Sequence, residues 1–80
     1  MAKTLPWRLY GTLGCHLCDT AESLLQQAQA VANFSYQKVD IIDLPEPEMQ
    51  ALADKIPVLV TPTATLNYPF SLMDIIDIAI

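Results

Sequence analysis

Residues 7–18 read Trp7-Arg8-Leu9-Tyr10-Gly11-Thr12-Leu13-Gly14-Cys15-His16-Leu17-Cys18 and contain the most informative pattern of this chain. The first four residues are rich in aromatic and apolar side chains and stand between Pro6 and Gly11, which predicts a buried strand. Both glycines of the protein follow within the next four positions, which indicates a tight turn. The two cysteines come directly after that turn.

The segment after the turn has the periodicity of an amphipathic helix. From Cys15 onward, apolar residues recur every three or four positions as Leu17, Ala21, Leu24, Leu25 and Ala28, and polar residues lie between them. Asn33 is predicted to end this helix. The alternating stretch Phe34–Asp40 predicts a second strand. Strand, helix and strand in this order form a βαβ unit, so the two strands are expected to be parallel.

The rest of the chain predicts a short helix, two strands and a last helix. The helix is expected over about Glu46–Ala53, the strands over Val58–Val60 and Ala64–Leu66, and the last helix after Phe70. Ser71 and Asp74 have the spacing of a capping box at the start of that helix. The order β-α-β-α-β-β-α predicts an α/β fold with a four-stranded mixed sheet flanked by helices, formed by residues 1–80 as a single domain.

Composition narrows the class of protein further. The chain has 80 residues, 52% hydrophobic and 16% charged, which is enough apolar material for one core and too much for a disordered chain. No apolar run reaches the roughly 20 residues of a membrane span, and the N-terminus lacks a signal-peptide pattern. The net charge of −5 disfavours nucleic-acid binding. We therefore expect a cytoplasmic monomer that binds neither nucleic acid nor membrane.

The two cysteines point to chemistry and not to a structural cross-link. Cys15 and Cys18 are separated by two residues, so a disulfide between them closes only a very small loop. At the N-terminus of a helix, free backbone N–H groups and the helix dipole stabilise a thiolate. Cys15 is thus expected to attack a disulfide and Cys18 to resolve the mixed disulfide. Two alternatives stay open: a metal or iron–sulfur cluster, which would need a dimer to supply four ligands, and a pair without a chemical role.

The sequence resembles the small bacterial glutaredoxin-like proteins of the thioredoxin superfamily over nearly its whole length. The matching segments are residues 9–11, the Gly14–Cys18 motif, Val39-Asp40, Ile56-Pro57-Val58-Leu59 and Tyr68-Pro69-Phe70. The resemblance implies a thioredoxin-like fold and thiol–disulfide oxidoreductase activity on protein or small-molecule disulfides. It also implies a cis Ile56–Pro57 bond in a substrate groove facing the cysteines. No tightly bound cofactor is implied, and glutathione is a candidate co-substrate.

Three departures from the glutaredoxin pattern leave the electron donor open. His16-Leu17 replaces the usual Pro-Tyr between the cysteines, Thr12 stands where a lysine is common, and Asn67–Phe70 replaces a Gly-Gly motif that helps hold the glutathione carboxylate. Glutathione and a thioredoxin-system donor therefore both remain candidates. A non-catalytic module that binds a peptide in the groove around Pro57 is the alternative from a different functional class.

Four further residues are candidates for roles around the cysteines. A protonated His16 would stabilise the Cys15 thiolate and make the pair more oxidising. Asp19 would disfavour a thiolate on Cys18 or assist proton transfer, although a purely structural role at the helix N-terminus is the simpler expectation. Tyr10 and Tyr68 could flank the substrate groove, and packing at the core or its rim is the simpler expectation for both.

Overall fold

A four-stranded mixed sheet with helices on its faces forms the fold. The computed structural model of the protein describes residues 6–80. The sheet has the strand order β2-β1-β3-β4, with β2 parallel to β1, and with β3 antiparallel to both β1 and β4. This confirms the predicted fold class and the parallel βαβ unit. The elements are β1 Trp7–Gly11, α1 His16–Gln29, β2 Tyr36–Asp40, α2 Glu46–Leu52, β3 Val58–Val60, β4 Thr65–Asn67 and α3 Leu72–Ala79, with a 3₁₀ turn at Ile41–Asp43.

The core lies between one face of the sheet and the helices α1 and α3. Successive side chains of a strand point to opposite faces, so Trp7 and Leu9 of β1 lie on the same face, and both are buried. They pack with the buried α1 residues and with side chains from the later elements. This cluster contains Trp7, Leu9, Ala21, Leu25, Ala28, Leu59, Phe70 and Ile75. Full burial of a leucine stabilises the fold by about 1.5–3 kcal/mol.

The strand register brings the loops that carry the cysteines and Pro57 to one edge of the sheet. Tyr10 pairs with Val58 in the antiparallel β1–β3 ladder, so Pro57, one residue earlier, lies level with Gly11, the last residue of β1. Gly11 pairs with Asp40 in the parallel β1–β2 ladder. The carboxyl ends of β1 and β2 and the start of β3 thus meet beside the N-terminus of α1.

Helix α1 ends earlier than predicted. Its last residue is Gln29 and its C-cap is Ala30, whereas Asn33 was expected to end it. The backbone N–H groups of Ala30 and Val31 donate to carbonyls three residues back, which tightens the final turn and closes the helix. Val31 is 71% exposed, so no apolar contact favours another helical turn.

The bounds of β1, β2 and β4 also differ from the prediction, since β1 extends to Gly11, β2 begins later and β4 is shifted by one residue. Strand β2 begins at Tyr36 because Phe34 stacks on Trp7, with ring centroids 4.1 Å apart, before the ladder starts. Strand β4 begins at Thr65, since the carbonyl of Ala64 accepts the N–H of Thr61 at 2.8 Å and closes the turn before it. Helix α2 ends at Leu52, one residue before the prediction.

The predicted capping box of α3 is present. Asp74 N–H donates to Ser71 Oγ at 3.1 Å, and Ser71 N–H donates to Asp74 Oδ2 at 2.8 Å. The shorter aspartate therefore closes the box in place of glutamate. Within residues 6–80, none of the helices has both the length and the apolarity needed to cross a bilayer.

Candidate redox site

The two cysteines form a disulfide at the start of α1. Their Cα atoms are 5.2 Å apart. Cys15 is the N-cap residue with an extended backbone, and its Sγ accepts a hydrogen bond from the backbone N–H of Cys18 at 3.1 Å. Its own carbonyl accepts the N–H of Asp19, which begins the helical ladder. This geometry aims a backbone donor of the helix N-terminus at the sulfur of Cys15, where it would stabilise a thiolate.

The two sulfurs differ in their access to solvent. Cys18 is 8% exposed and lies on the buried face of α1, whereas Cys15 is half-buried at the tip of the helix. The structure brings both predicted cysteines together at disulfide distance. Their roles as attacking and resolving residues stay predictions.

The glycine turn before Cys15 makes this arrangement sterically feasible. Gly14 has φ +77°, a left-handed conformation that residues with a Cβ rarely adopt. Gly11 lies directly beside the second cysteine, because a Cβ at Gly11 would stand 2.9 Å from Sγ of Cys18. Gly11 therefore allows β1 to approach Cys18 closely, and Gly14 allows the chain to turn into α1.

The Pro57 segment lies at the same edge of the sheet as the disulfide. The Ile56–Pro57 peptide bond is cis, as the resemblance implies. The Pro57 ring is fully buried and Ile56 is half-buried. The role of this segment in substrate binding stays a prediction. Tyr68 N–H donates to the carbonyl of Pro57 at 3.2 Å, which joins the two segments. The Tyr68–Pro69 bond is also cis, which the sequence did not predict.

The two predicted tyrosines occupy different places. Tyr68 packs against the core, and its ring meets Phe70 edge-on with centroids 5.6 Å apart. Tyr10 lies on the face of β1 opposite Leu9, and its hydroxyl oxygen is 3.5 Å from Nη1 of Arg8. Tyr68 is thus joined to the Pro57 segment through its backbone, whereas the Tyr10 hydroxyl contacts Arg8 on the same strand. Their roles in substrate binding stay predictions.

The two predicted modulating residues lie in the first turn of α1. His16 and Asp19 are both exposed to solvent. The His16 carbonyl accepts the hydroxyl of Thr20 at 3.3 Å, which is a helix contact and not one to the cysteines. Asp19 is the acidic residue of the first turn, as the dipole favours. It also lines a cavity next to Cys18.

This cavity has a volume of about 340 Å³ and opens between the glycine turn, the first turns of α1 and the end of β2. Its wall contains Cys18 and four charged residues, Asp19, Glu22, Lys38 and Asp40. Within it, Glu22 Oε1 is 3.1 Å from Lys38 Nζ. Glu22 Oε2 accepts the hydroxyl of Tyr36 at 3.0 Å.

Contacts with Glu22 alter the proton affinity of two neighbours. The hydrogen bond and charge of Glu22 raise the pKa of Lys38 above its ordinary value. Burial raises the pKa of Tyr36, and the hydrogen bond to Glu22 raises it further. The sequence did not indicate Glu22, Lys38 or Asp40 as part of the site, although all three line this cavity. Two signals were present: Glu22 follows Cys18 by one helical turn, and Asp40 ends a strand parallel to β1.

The fold and the site together define a thioredoxin-fold protein with a CxxC redox motif at a helix N-terminus. The chain matches the family model of the Glutaredoxin-like domain (DUF836) over residues 8–78, and it belongs to that family. The thioredoxin-superfamily resemblance is thereby confirmed. No curated protein is similar enough to this chain to count as a match.

Two solved structures are similar to the chain over most of its length. One is the X-ray structure of Northeast Structural Genomics target protein XcR50 from X. campestris, at 33% identity and TM-score 0.72, covering 89% of this chain and 91% of the other. The solution structure of XcR50 gives 34% identity and TM-score 0.70, covering 91% and 90%. Both support the thioredoxin-like fold at sequence identities above 30%.

Proposed function

We propose that the protein is a thiol–disulfide oxidoreductase in which Cys15 attacks and Cys18 resolves. The observation that supports this most directly is the hydrogen bond from Cys18 N–H to Cys15 Sγ at 3.1 Å. It places a donor on the sulfur that is also the more accessible one. Membership of the Glutaredoxin-like domain family and the Cys15–Cys18 disulfide fit such a redox role.

The proposed reaction has two exchange steps. The Cys15 thiolate attacks one sulfur of a substrate disulfide, which forms a mixed disulfide and releases the other substrate sulfur as a thiolate that takes up a proton. The Cys18 thiol then loses its proton and attacks Cys15 Sγ. The Cys15–Cys18 disulfide forms and the second substrate thiol leaves. The substrate disulfide is reduced by two electrons, and the cysteine pair is oxidised by two.

The substrate of this proposal is a protein or small-molecule disulfide bound against the Ile56–Pro57 segment. Reduction of the oxidised pair is assigned either to glutathione, as a co-substrate that is not tightly held, or to a thioredoxin-system donor. The working form is a monomer in the cytoplasm of a bacterium, where reducing conditions return the pair to dithiols. Redox titration against glutathione and thioredoxin buffers separates the two donors.

Mass spectrometry of single-cysteine variants tests the proposal. Reduced protein is mixed with a neutral disulfide, bis(2-hydroxyethyl) disulfide, at pH 7. Cys18→Ser should accumulate the mixed disulfide on Cys15, and Cys15→Ser should show no adduct above the rate of free cysteine. If Cys15 also reacts no faster than free cysteine, the enzyme proposal is wrong. Peptide binding that survives replacement of both cysteines would then favour the binding module.

The cluster-bridged dimer has no specific support among residues 6–80. No group of three or more His, Cys, Asp or Glu side chains in that range is arranged to hold a metal ion. A dimer could still supply two cysteines from each copy, as the sequence reasoning allowed. Absorbance spectra of anaerobically purified protein measure this directly, since an iron–sulfur cluster absorbs in the visible range.

A further inference from the structure

The chemistry proposed above requires Cys18 to lose a proton from a site that has little direct exposure to bulk solvent. Cys18 is 8% exposed, and in the reduced protein its thiol must become a thiolate before it can attack the mixed disulfide. The cavity of about 340 Å³ borders this residue. At roughly 30 Å³ for each water molecule, it has room for several waters between Cys18 and the cavity wall.

Four charged groups face this cavity, and their contacts distinguish them. Glu22 is already engaged, because one carboxylate oxygen contacts Lys38 and the other accepts the Tyr36 hydroxyl. Lys38 is the cation of that pair and cannot accept a proton. Asp19 is exposed and projects from the helix surface. Asp40 is half-buried at the carboxyl end of β2.

Asp40 combines a fixed position with an available oxygen. Its Oδ1 accepts the N–H of Ile42 at 3.1 Å, which orients the carboxylate as the cap of the 3₁₀ turn. Among the hydrogen bonds formed within residues 6–80, this is the only one to the Asp40 side chain, so Oδ2 remains available to water.

The backbone register places Asp40 close to Cys18. Asp40 is paired with Gly11 across the parallel ladder, where neighbouring strands lie about 4.8 Å apart. Gly11 in turn lies against Cys18, at the distance where a Cβ would be 2.9 Å from its sulfur. Because Gly11 has no side chain, Sγ of Cys18 can lie directly over the end of β1, beside the strand that carries Asp40. Asp40 and Cys18 line the same cavity.

We infer that Asp40 is the proton acceptor for Cys18 in the resolving step, acting through water held in this cavity. The Cys18 thiol proton passes to water and a proton passes from water to Oδ2 of Asp40. The Cys18 thiolate attacks Cys15 Sγ, the Cys15–Cys18 bond forms, and the substrate sulfur leaves as a thiolate that is protonated by solvent. Asp40 returns its proton to solvent afterwards. The inference rests on the proposed function, because it concerns the second of the two exchange steps.

Rapid acid quenching and mass spectrometry can follow the two steps separately. Fully reduced protein is mixed with bis(2-hydroxyethyl) disulfide between pH 6 and pH 9. The appearance of the adduct on Cys15 measures the first step, and its conversion to the intramolecular disulfide measures the second. Asp40→Asn should leave the first step within about twofold of wild type. It should slow the second by about 100-fold at pH 7, the lower end of the range for general base catalysis.

Whether Asp40→Asn slows or speeds the second step distinguishes a proton acceptor from a group that acts only through its charge. Removal of a negative charge near Cys18 favours its thiolate, so a purely electrostatic role for Asp40 would make the second step faster in Asp40→Asn. Loss of a proton acceptor makes it slower, and the rate should then rise with pH as hydroxide replaces the carboxylate. Asn keeps an oxygen that can accept the Ile42 N–H, so the cap is retained.

Asp43→Asn is the matched control, because Asp43 is exposed in the same 3₁₀ turn and carries the same charge. It should resolve the mixed disulfide at the wild-type rate with the wild-type pH profile. The inference is overturned if Asp40→Asn resolves as fast as wild type or faster, or if Asp43→Asn is slowed to the same extent. Failure of wild type to form any adduct would instead refute the proposed function, and this inference with it.

Discussion

Gly11 lies so close to Cys18 that a Cβ on the glycine would be 2.9 Å from Sγ and 3.2 Å from Cβ of the cysteine. The first of these distances is shorter than carbon–sulfur contacts in folded proteins. Gly11 has no unusual backbone angle that would require glycine, since among the described residues positive φ occurs only at Gly14. The close approach of Cys18 is therefore the reason for glycine at the end of β1.

Gly11→Ala should destabilise the protein and disturb the cysteine pair. Cys18 is buried, so the added methyl group must displace it or the end of β1, at a cost of about 1–3 kcal/mol for overpacking. Urea unfolding measures the loss. In a Cys18→Ala background the sulfur is absent, so the cost of Gly11→Ala should fall clearly. An equal cost in both backgrounds would show that the contact with Cys18 is not its origin.

The ion pair between Glu22 and Lys38 predicts a dependence of stability on alkaline pH. The pKa of Lys38 is raised by the hydrogen bond and charge of Glu22, and the pKa of Tyr36 is raised by burial and by that carboxylate. The folded protein thus holds both protons more tightly than the unfolded chain. The resulting stabilisation is complete below about pH 10, near the unfolded values, and is lost as pH rises through the raised folded values.

Glu22→Gln should therefore lower the urea midpoint at pH 8 and approach wild type above about pH 11. The effect should be small, because the Lys38 ammonium is largely exposed and screened by water and salt. Glu48→Gln serves as the control, since Glu48 is exposed at the start of α2. A difference between Glu22→Gln and wild type that stays constant from pH 8 to pH 12 would contradict this assignment.

Much of the fold and part of the site could be predicted from sequence. The period change at Cys15 predicted the strand, the turn and the helix that position the cysteines, and the resemblance predicted the cis bond before Pro57. The cavity could not be predicted, because it depends on the pairing of Gly11 with Asp40, residues that are far apart in sequence. Phe34 was assigned to β2 from its alternation, but its stacking on Trp7 determines its place.

The capping box of α3 should contribute measurably to stability. Ser71 Oγ accepts the Asp74 N–H, and Asp74 returns a hydrogen bond to the Ser71 backbone. Ser71→Ala should cost about 1 kcal/mol in urea unfolding, a typical value for loss of an N-cap. The control is Ser35→Ala, because Ser35 is exposed and lies outside the helices and strands. Equal stability of both variants would show that the box adds nothing.

The hydrogen bond from Cys18 N–H to Cys15 Sγ predicts an acidic thiol at Cys15 in the reduced protein. A free cysteine has a pKa of about 8.5, and helix N-termini lower it to about 7.5 or less. Absorbance of the thiolate at about 240 nm, the ordinary band of this group, gives the value in Cys18→Ser, which has a single thiol. We expect half-titration of Cys15 at a lower pH than that of a free cysteine.

The same titration measures how much His16 contributes to the pKa of the Cys15 thiol. His16 is exposed, and among the hydrogen bonds within residues 6–80 none joins its imidazole to Cys15, so it would act on the thiolate only through its charge when protonated. His16→Asn in the Cys18→Ser background should raise the Cys15 pKa by less than about one unit, as expected for a solvent-screened charge. Leu17→Asn is the control, because Leu17 is 48% exposed and uncharged in the same turn. Half-titration of Cys15 at pH 8.5 or above would contradict stabilisation by the helix N-terminus, since that donor is present in every variant.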